Sequence, residues 1–232
     1  MQRYFIAAAV LCVAAAPGPK VTSLLTARDL DPALVLPPPP PPAAGSPQAA
    51  AELVELRVFE TRDAATEADA RQDGDTKNAS IFSVVLGPKF DLEHLPATAA
   101  LMALVRASEK DTVDRGKSHF RRARPYVSVP TLKACKRNED PLSSYPSGHT
   151  SMAFAMGETL ARLVPEKAEP LLARAARYGQ SRIVCEQHFR SDVSAGQILG
   201  LLIAERLAAK PAFRTAFDAA RRELVTIGIA QR

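Results

Sequence analysis

Hydrophobic residues in this chain recur mostly every three or four positions, which is the spacing of one face of an α-helix. Met152, Met156, Leu160 and Leu163 form one such stripe. Long runs in which apolar and polar residues alternate, as they do in a half-buried strand, are scarce. The pattern therefore predicts an all-α fold, a single-domain helical bundle.

Proline marks where several of these helices should begin, because it is favoured in the first helical turn. Ser46 and Pro47 would start a long helix that runs to about Gln72, where Asp73-Gly74-Asp75 would end it. The other expected helices begin near Pro96, cover residues 150–163, begin near Pro170, cover residues 190–209 and include Phe213, Phe217 and Leu224.

The chain begins with the pattern of a secretory signal peptide. Met1-Gln2-Arg3 is a short positive start, the apolar run Tyr4–Ala16 follows, and small residues precede Pro17. This run of 13 residues is too short to cross a bilayer as a helix. We therefore predict export, with residues 1–15 as the signal peptide, and no stable membrane insertion.

A proline-rich segment separates the signal peptide from the body of the protein. Residues 17–33 are expected to be a poorly ordered lead-in, and Pro37–Pro42 is a run of six prolines. Such a run is extended and cannot be helical, although it could lie against the body. We therefore expect an extended segment over residues 16–45 and a helical domain over residues 46–232.

Composition and charge indicate a preference for anionic ligands. The 232 residues are 47% hydrophobic and 24% charged, and the formal net charge is +5. A basic balance suits anionic substrates or nucleic acid. Because no block of five or six like charges occurs, we predict no nucleic-acid partner. A nucleic-acid binder that uses the basic segment over residues 117–126 remains an alternative.

Two cysteines, Cys135 and Cys185, remain after removal of the signal peptide. An even pair in an exported chain suggests one disulfide, with two buried thiols as the alternative. The loop-entropy model gives roughly 4 kcal/mol for closing a loop of about 50 residues. The sequence around these cysteines does not have the ligand spacing of a zinc site, and we predict no bound metal.

A first candidate anion site lies around Lys117 and Arg124. These residues are seven positions apart, or two helical turns, so we expect them on one helix face. Pro125 would end that helix at Arg124 and free the guanidinium to bind phosphate. Taken alone, this segment indicates only a basic surface.

A second candidate is the sequence Pro146-Ser147-Gly148-His149, which precedes an amphipathic run. This placement puts Ser147 and Gly148 at a helix N-terminus, where free N–H groups and the helix dipole attract anions. The alternative is that Ser147 only caps the helix and that His149 is a polar surface residue.

A third candidate is the pair His188 and Asp192, which are four positions apart on an expected helix. The carboxylate could then hold one ring nitrogen and leave the other free as a nucleophile. Arg182 would point away from His188 on a continuous helix. We therefore expect a break between them, near Cys185 and Glu186.

Together, Lys-x6-Arg-Pro, Pro-Ser-Gly-His and Ser-Arg-x5-His-x3-Asp resemble the signature of the type 2 phosphatidic acid phosphatase superfamily, which includes the vanadium haloperoxidases. The chain looks most similar to the bacterial class A non-specific acid phosphatases, over roughly residues 34–205. The resemblance implies the helical bundle of that superfamily and a periplasmic protein. It also implies that Cys135 and Cys185 form a disulfide.

The resemblance also implies roles for individual residues. His188 would attack phosphorus and form a phosphohistidine, Asp192 would orient it, and His149 would act as general acid and then base. Five further residues would hold the phosphate oxygens: Lys117, Arg124, Ser147, Gly148 and Arg182.

The implied activity is hydrolysis of small organic phosphate monoesters without a cofactor or metal, with vanadate as an inhibitory oxyanion. Phosphoryl transfer to other alcohols would follow from the same intermediate. Ser143, Phe120, Phe189 and Ala153-Phe154 depart from the family's usual residues, so the substrate range is less constrained than the chemistry. The alternatives are a periplasm-facing lipid phosphate or diphosphate phosphatase and a non-catalytic anion-binding protein. The sequence leaves open whether the protein forms a homo-oligomer.

Overall fold

The computed structural model describes residues 21–39 and 46–231, and helices are the regular structure of those two stretches. Within them no residue is assigned to a strand, so the predicted all-α class is confirmed. The α-helices are α1 (Pro32–Val35), α2 (Pro47–Arg57), α3 (Ala64–Asp75), α4 (Ser83–Leu86), α5 (Pro96–Phe120), α6 (Pro125–Ser128), α7 (Gly148–Leu163), α8 (Ala168–Val184), α9 (Arg190–Ala208) and α10 (Pro211–Thr226). Short 3-10 turns cover Val58–Thr61, Ala79–Phe82 and Pro165–Lys167.

Helix α7 is the centre of the fold. It packs against α8, α9 and α5, and the predicted stripe from Met152 to Leu163 is buried. Two glycines allow α9 to approach closely: a Cβ on Gly196 would lie 2.5 Å from the Ser147 carbonyl oxygen, and one on Gly200 would lie 2.5 Å from the Ser151 carbonyl oxygen. The backbones of α7 and α9 are therefore in direct contact.

Residues 21–36 pack on the helical body, which corrects the expectation of a poorly ordered lead-in for this part of the chain. Leu25, Leu30 and Leu36 are buried in the main hydrophobic core. The Tyr145 hydroxyl donates to the Pro37 carbonyl oxygen at 2.5 Å. The predicted signal peptide and residues 40–45 lie outside the described residues, and the domain boundary at residue 46 stays a prediction.

The single helix expected from Pro47 to Gln72 was wrong. The chain breaks after α2, and Asp63 caps a separate helix α3 by accepting from the Thr66 N–H at 2.7 Å. The break turns Arg62 inward, where its guanidinium donates to the buried Glu186 at 3.2 Å. This distant ion pair leaves no local pattern in the sequence.

The other expected helices are present with small shifts at their ends. Helix α5 begins at Pro96 as predicted, and α8 begins at Ala168, two residues before the expected start at Pro170. Among the described residues, no helix combines the length and the apolar character needed to cross a membrane.

Candidate active site

The N-terminus of α7 has the predicted cap. The Ser147 side chain accepts from the Thr150 N–H at 3.5 Å and from the Thr150 hydroxyl at 2.9 Å. The Ser147 N–H donates to the Asp192 carbonyl oxygen at 2.9 Å, which ties this cap to α9. The N–H groups of Gly148 and His149 have no acceptor among the described residues, so they are available to an anion.

Lys117 and Arg124 do not share a helix face, which corrects the expectation from their spacing. Helix α5 ends at Phe120, because Arg121 has a left-handed backbone with φ of 44°, and Arg124 directly precedes α6. The chain nevertheless brings both cations to one place. Burial and, after it, the positive charge of Arg124 lower the pKa of Lys117 to about 8.

The Arg124 side chain is buried against His188. Its Nη1 atom lies 3.2 Å from His188 Nε2 and donates to the Gln187 carbonyl oxygen at 3.0 Å. Its Nη2 atom donates to the Ser143 carbonyl oxygen at 3.1 Å. Asn138 covers the guanidinium, with one terminal atom of its amide 2.8 Å from Nη2; we assign this atom as the oxygen, because Nη2 is a donor.

Asp192 lies in the first turn of α9, and His188 precedes that helix, which corrects the expectation of one helix for both. The Asp192 carboxylate accepts from the Ser144 hydroxyl at 2.6 Å, the Phe189 N–H at 2.8 Å and Arg122 Nη1 at 2.6 Å. His188 Nδ1 lies 3.6 Å from the carboxylate and has no hydrogen-bond partner within residues 21–39 and 46–231. The pair is adjacent, with Nδ1 facing the carboxylate.

The predicted break between Arg182 and His188 is confirmed. Helix α8 ends at Val184, and Glu186 has a left-handed backbone with φ of 53°. Arg182 is buried near the end of α8, and its guanidinium lies so close to Gly74 that a Cβ there would be 2.3 Å from Nη1.

His149 lies between two cavities of about 200 Å³ and about 170 Å³. Its Nε2 atom is 3.0 Å from the Gly74 carbonyl oxygen, so this nitrogen carries the hydrogen. Its ring stacks on Tyr178, with the centroids 6.1 Å apart. Nε2 is thus fixed by the backbone, and Lys77 lines both cavities beside the ring.

Both histidines are held in their neutral form. Burial lowers the pKa of His188 well below its usual value, and the charges of Arg124, Arg182 and Lys117 add to the effect. Burial also lowers the pKa of His149, followed by the charge of Arg182. A neutral imidazole has a free lone pair, and the surrounding cations favour a bound anion.

Sequence reasoning missed the residues that support Asp192 from behind. Arg122 bridges Asp192 to Glu52, whose carboxylate accepts from Arg122 Nη2 at 3.0 Å and from the Ser191 N–H. Burial raises the pKa of Asp192, and the charge of Arg122 opposes that rise. Glu52 and Arg122 are 70 positions apart in the chain, so no local spacing could have indicated the contact.

The predicted disulfide is present, and the alternative of two free thiols was wrong. Cys135 and Cys185 are bonded, with their Cα atoms 4.9 Å apart. The Gln187 amide also donates to the Lys136 carbonyl oxygen. These links fix the segment around Asn138 beside Arg124 and the larger cavity.

The described part of the chain contains no group of three or more His, Cys, Asp or Glu side chains placed to hold a metal ion. The site is therefore a cationic pocket in a helical protein, with two histidines whose neutral form is favoured by burial and nearby cations. Such a pocket can bind a tetrahedral oxyanion and present a nitrogen nucleophile to it.

Comparison with known proteins agrees with this description. Residues 94–215 match the PAP2 superfamily, and the chain belongs to that superfamily. It is 34% identical over 161 residues to an acid phosphatase of Zymomonas mobilis subsp. mobilis, covering 67% of this chain and 61% of that protein. It is also 34% identical over 150 residues to a non-specific acid phosphatase of Salmonella typhi, covering 63% of this chain and 60% of that protein. The chain thus spans about three fifths of the length of these curated relatives.

A solved structure shares the fold. The crystal structure of Aquifex aeolicus LpxE matches with a TM-score of 0.53 and 21% sequence identity, over 66% of this chain and 92% of that one. The resemblance to acid phosphatases of this superfamily is therefore confirmed by the sequence relatives, and the solved structure shares the fold.

Proposed function

We propose that this protein is an acid phosphatase that hydrolyses small organic phosphate monoesters through a phosphohistidine on His188, without a metal ion. The observation that supports this most strongly is the position of His188 Nε2, which lies 3.2 Å from the Arg124 guanidinium. Arg182 and Lys117 also depress the pKa of this ring, which means that their charges lie near it. The names of the sequence relatives agree with this activity.

The first chemical step would be attack on phosphorus by the His188 Nε2 lone pair. Asp192 would hold the Nδ1 hydrogen and stabilise the positive charge that develops on the ring. Arg124, Arg182, Lys117 and the free N–H groups of α7 would bind the three phosphate oxygens in the transition state. The bond from phosphorus to the ester oxygen breaks, and the departing alkoxide takes a proton from His149.

The second step would return the enzyme to its starting form. His149, now neutral, would take a proton from water, and the resulting hydroxide would attack phosphorus and break the bond to His188 Nε2, whose electron pair returns to the ring. The proton on His149 would then leave with the phosphate product, so that both imidazoles are neutral again. An alcohol in place of water would yield a new phosphate ester, which is the expected phosphotransferase side reaction.

The protonation states explain why acid should favour the reaction. His149 is neutral in the free protein, because its pKa is lowered by burial and by Arg182, yet a general acid needs a proton. A phosphate monoester carries an ionisable proton with a pKa near 6. A monoanionic substrate can therefore bring the proton that His149 then passes to the leaving group.

We also propose that the protein is exported to the periplasm. The disulfide between Cys135 and Cys185 supports an oxidising compartment, because such bonds persist outside the cytosol. The predicted signal peptide over residues 1–15 is a separate argument from the sequence alone.

The test is turnover of p-nitrophenyl phosphate by the mature protein in excess EDTA, between pH 4 and 8. We expect EDTA-resistant turnover that vanadate inhibits and that His188→Ala reduces by about 10⁴-fold or more. His94→Ala is the matched control, because that side chain is 81% exposed and pairs only with Asp91. Turnover that EDTA abolishes, or that survives in His188→Ala, would contradict the histidine mechanism.

A trapping experiment separates the covalent intermediate from direct attack by water. Brief reaction with labelled substrate followed by quenching in base should leave the label on His188, because a phosphohistidine is stable to base and labile to acid. Label on the protein in the His188→Ala variant would assign the nucleophile to another residue.

A further inference from the structure

Glu109 is a buried carboxyl group whose two oxygens have different surroundings. It lies on α5 and is 1% exposed. One oxygen, Oε2, accepts a hydrogen bond from Arg106 Nη1. The other, Oε1, is buried and has no hydrogen-bond partner among the described residues. A buried polar atom without a partner is costly, so a ligand or a proton at this position would lower the free energy.

The free oxygen faces the proposed phosphate site. A Cβ built on Gly148 would lie 3.5 Å from Lys117 Nζ and 3.9 Å from Glu109 Oε1, so both atoms border the first residue of α7. Glu109, Lys117, Gly148 and His149 also line one cavity of about 170 Å³. The side chain therefore shares a wall with the residues proposed to hold phosphate oxygens.

The charged groups around Glu109 come from three elements. Arg106, Asp114 and Lys117 are on its own helix, and their charges act on its titration together with burial. His149 on α7 and Lys77 after α3 line the same cavity. Burial is the largest influence and raises the pKa of Glu109 to about 7, against the opposing charges of Arg106 and Lys117.

We propose that Glu109 is a substrate-binding residue of the proposed phosphate site and that it works in its protonated form. As a neutral acid it donates an O–H hydrogen bond into the cavity that Lys117 and Gly148 border. As a carboxylate it places a negative charge beside the phosphate and weakens binding. The inference rests on the proposed function, and it makes the loss of proton from Glu109 one cause of weak activity above neutral pH.

An ionised Glu109 would change the pH dependence of substrate binding in the opposite direction. If Glu109 worked as an ionised partner that keeps Lys117 protonated, its removal would lower the pKa of Lys117. Substrate binding would then be lost at a lower pH than in the wild type. The direction of the change with pH therefore distinguishes the two roles, and a purely structural role predicts no change with pH.

The experiment compares kcat/KM for p-nitrophenyl phosphate in the wild type and in Glu109→Gln, from pH 5 to pH 8. The ratio of variant to wild type cancels the ionisation of the substrate itself. We expect this ratio to rise towards about tenfold between pH 6 and pH 8, because glutamine stays neutral while a glutamic acid with a pKa of about 7 ionises. A ratio that falls or stays constant over this range would overturn the proposal.

The matched control is Asp111→Asn, which neutralises an exposed carboxylate on the same helix. Asp111 pairs with Arg115 and does not line the cavity. The ratio of kcat/KM in Asp111→Asn to that in the wild type should stay constant with pH. A second variant, Arg106→Gln, removes the cation that hydrogen-bonds Oε2, so Glu109 should stay protonated to higher pH and the ratio should again rise.

A binding measurement keeps this inference separate from the proposed function. Inorganic phosphate should raise the Tm of the wild type most below pH 7, and that of Glu109→Gln to a similar extent up to about pH 8. Identical pH dependence in both proteins would exclude the role of Glu109. Absence of any stabilisation by phosphate or vanadate in either protein would contradict the phosphate site itself.

Stability provides a third readout that needs no ligand. The pKa of Glu109 is raised in the folded protein, so its contribution to stability is present below pH 4.5 and is lost as the pH rises to about 7. Across that window the free energy of unfolding of the wild type should therefore fall relative to that of Glu109→Gln. A parallel pH dependence would show that Glu109 ionises normally and would overturn the proposal.

Discussion

The proposed phosphate site has two regions, one around Asp192 and one around His149, and their surroundings differ. The Asp192 carboxylate is fully buried and accepts three hydrogen bonds, from Ser144, Phe189 and Arg122. In the part of the chain that the structure describes, the His149 side chain makes one hydrogen bond, to the Gly74 carbonyl oxygen, and it borders two cavities. The protein itself satisfies the Asp192 carboxylate, whereas the region around His149 leaves hydrogen-bond donors and space that a substrate would fill.

This difference predicts how substitutions should behave. Residues around Asp192 take part in the folded structure whether or not substrate is bound, so their loss should reduce both stability and activity. Residues around His149 have few protein partners, so their loss should reduce activity while stability changes little. Each prediction below tests this distinction, in order of decreasing expected effect.

Arg122→Ala should have the largest effect, because it leaves two buried carboxylates, Asp192 and Glu52, without their shared cation. Breaking a buried ion pair by removing one partner costs about 3–5 kcal/mol, and phosphatase activity should fall with it. Urea unfolding and kcat measure the two effects. The neighbouring Arg121→Ala is the control, since that side chain is exposed. A stable, active Arg122→Ala protein would show that the region around Asp192 does not differ from that around His149 in its contribution to stability.

His149→Asn should reduce kcat by about 10²–10⁴-fold, the usual contribution of a general acid, while stability changes by less than about 1 kcal/mol. The loss should be larger for an alkyl phosphate than for p-nitrophenyl phosphate, because the nitrophenolate leaves readily without a proton. Comparing both substrates with the wild type checks this. Equal losses for the two substrates would count against protonation of the leaving group by His149.

Lys77→Gln should have the smallest effect. Lys77 lines both cavities beside His149, and its charge lowers the pKa of that histidine. Loss of one exposed cation that lines these cavities should reduce kcat/KM by about two- to fivefold, and added salt should diminish the difference. Lys89→Gln, at an exposed position that contacts the Ile227 carbonyl oxygen, is the control. A loss that is insensitive to salt would indicate a direct contact instead.

The parts of the fold that sequence reasoning predicted well are those with local signals. The start of α7 follows from Ser147 as a cap before a continuous apolar stripe, and both the cap and the stripe are present. The break near Glu186 was predicted because Arg182 and His188 could not share a helix face. In each case the residues that decide the structure lie within a few positions of one another.

The parts that were missed depend on contacts between distant residues. Helix α5 ends at Phe120 and not at the predicted Arg124, because the left-handed residue that follows it, Arg121, gives no clear signal when it is an arginine. Residues 21–36 are ordered by burial of Leu25, Leu30 and Leu36, whose spacing is not helical. Arg122 gains its proposed importance from carboxylates on α2 and α9, and Glu109 from a cavity that residues of α7 also line.

The contact between α7 and α9 also restricts how this protein can vary between generations. At Gly196 and Gly200 any substitution adds atoms where the facing backbone leaves no room, so inherited variants at these positions are penalised. His149 lies on α7 and His188 directly precedes α9, and their separation is thus protected from gradual drift. Exposed side chains that line the cavities, such as Lys77 and Lys136, meet no such restriction. Over evolutionary time, new substrate preferences would therefore arise by replacement of these exposed residues, while the spacing of the two histidines is inherited unchanged.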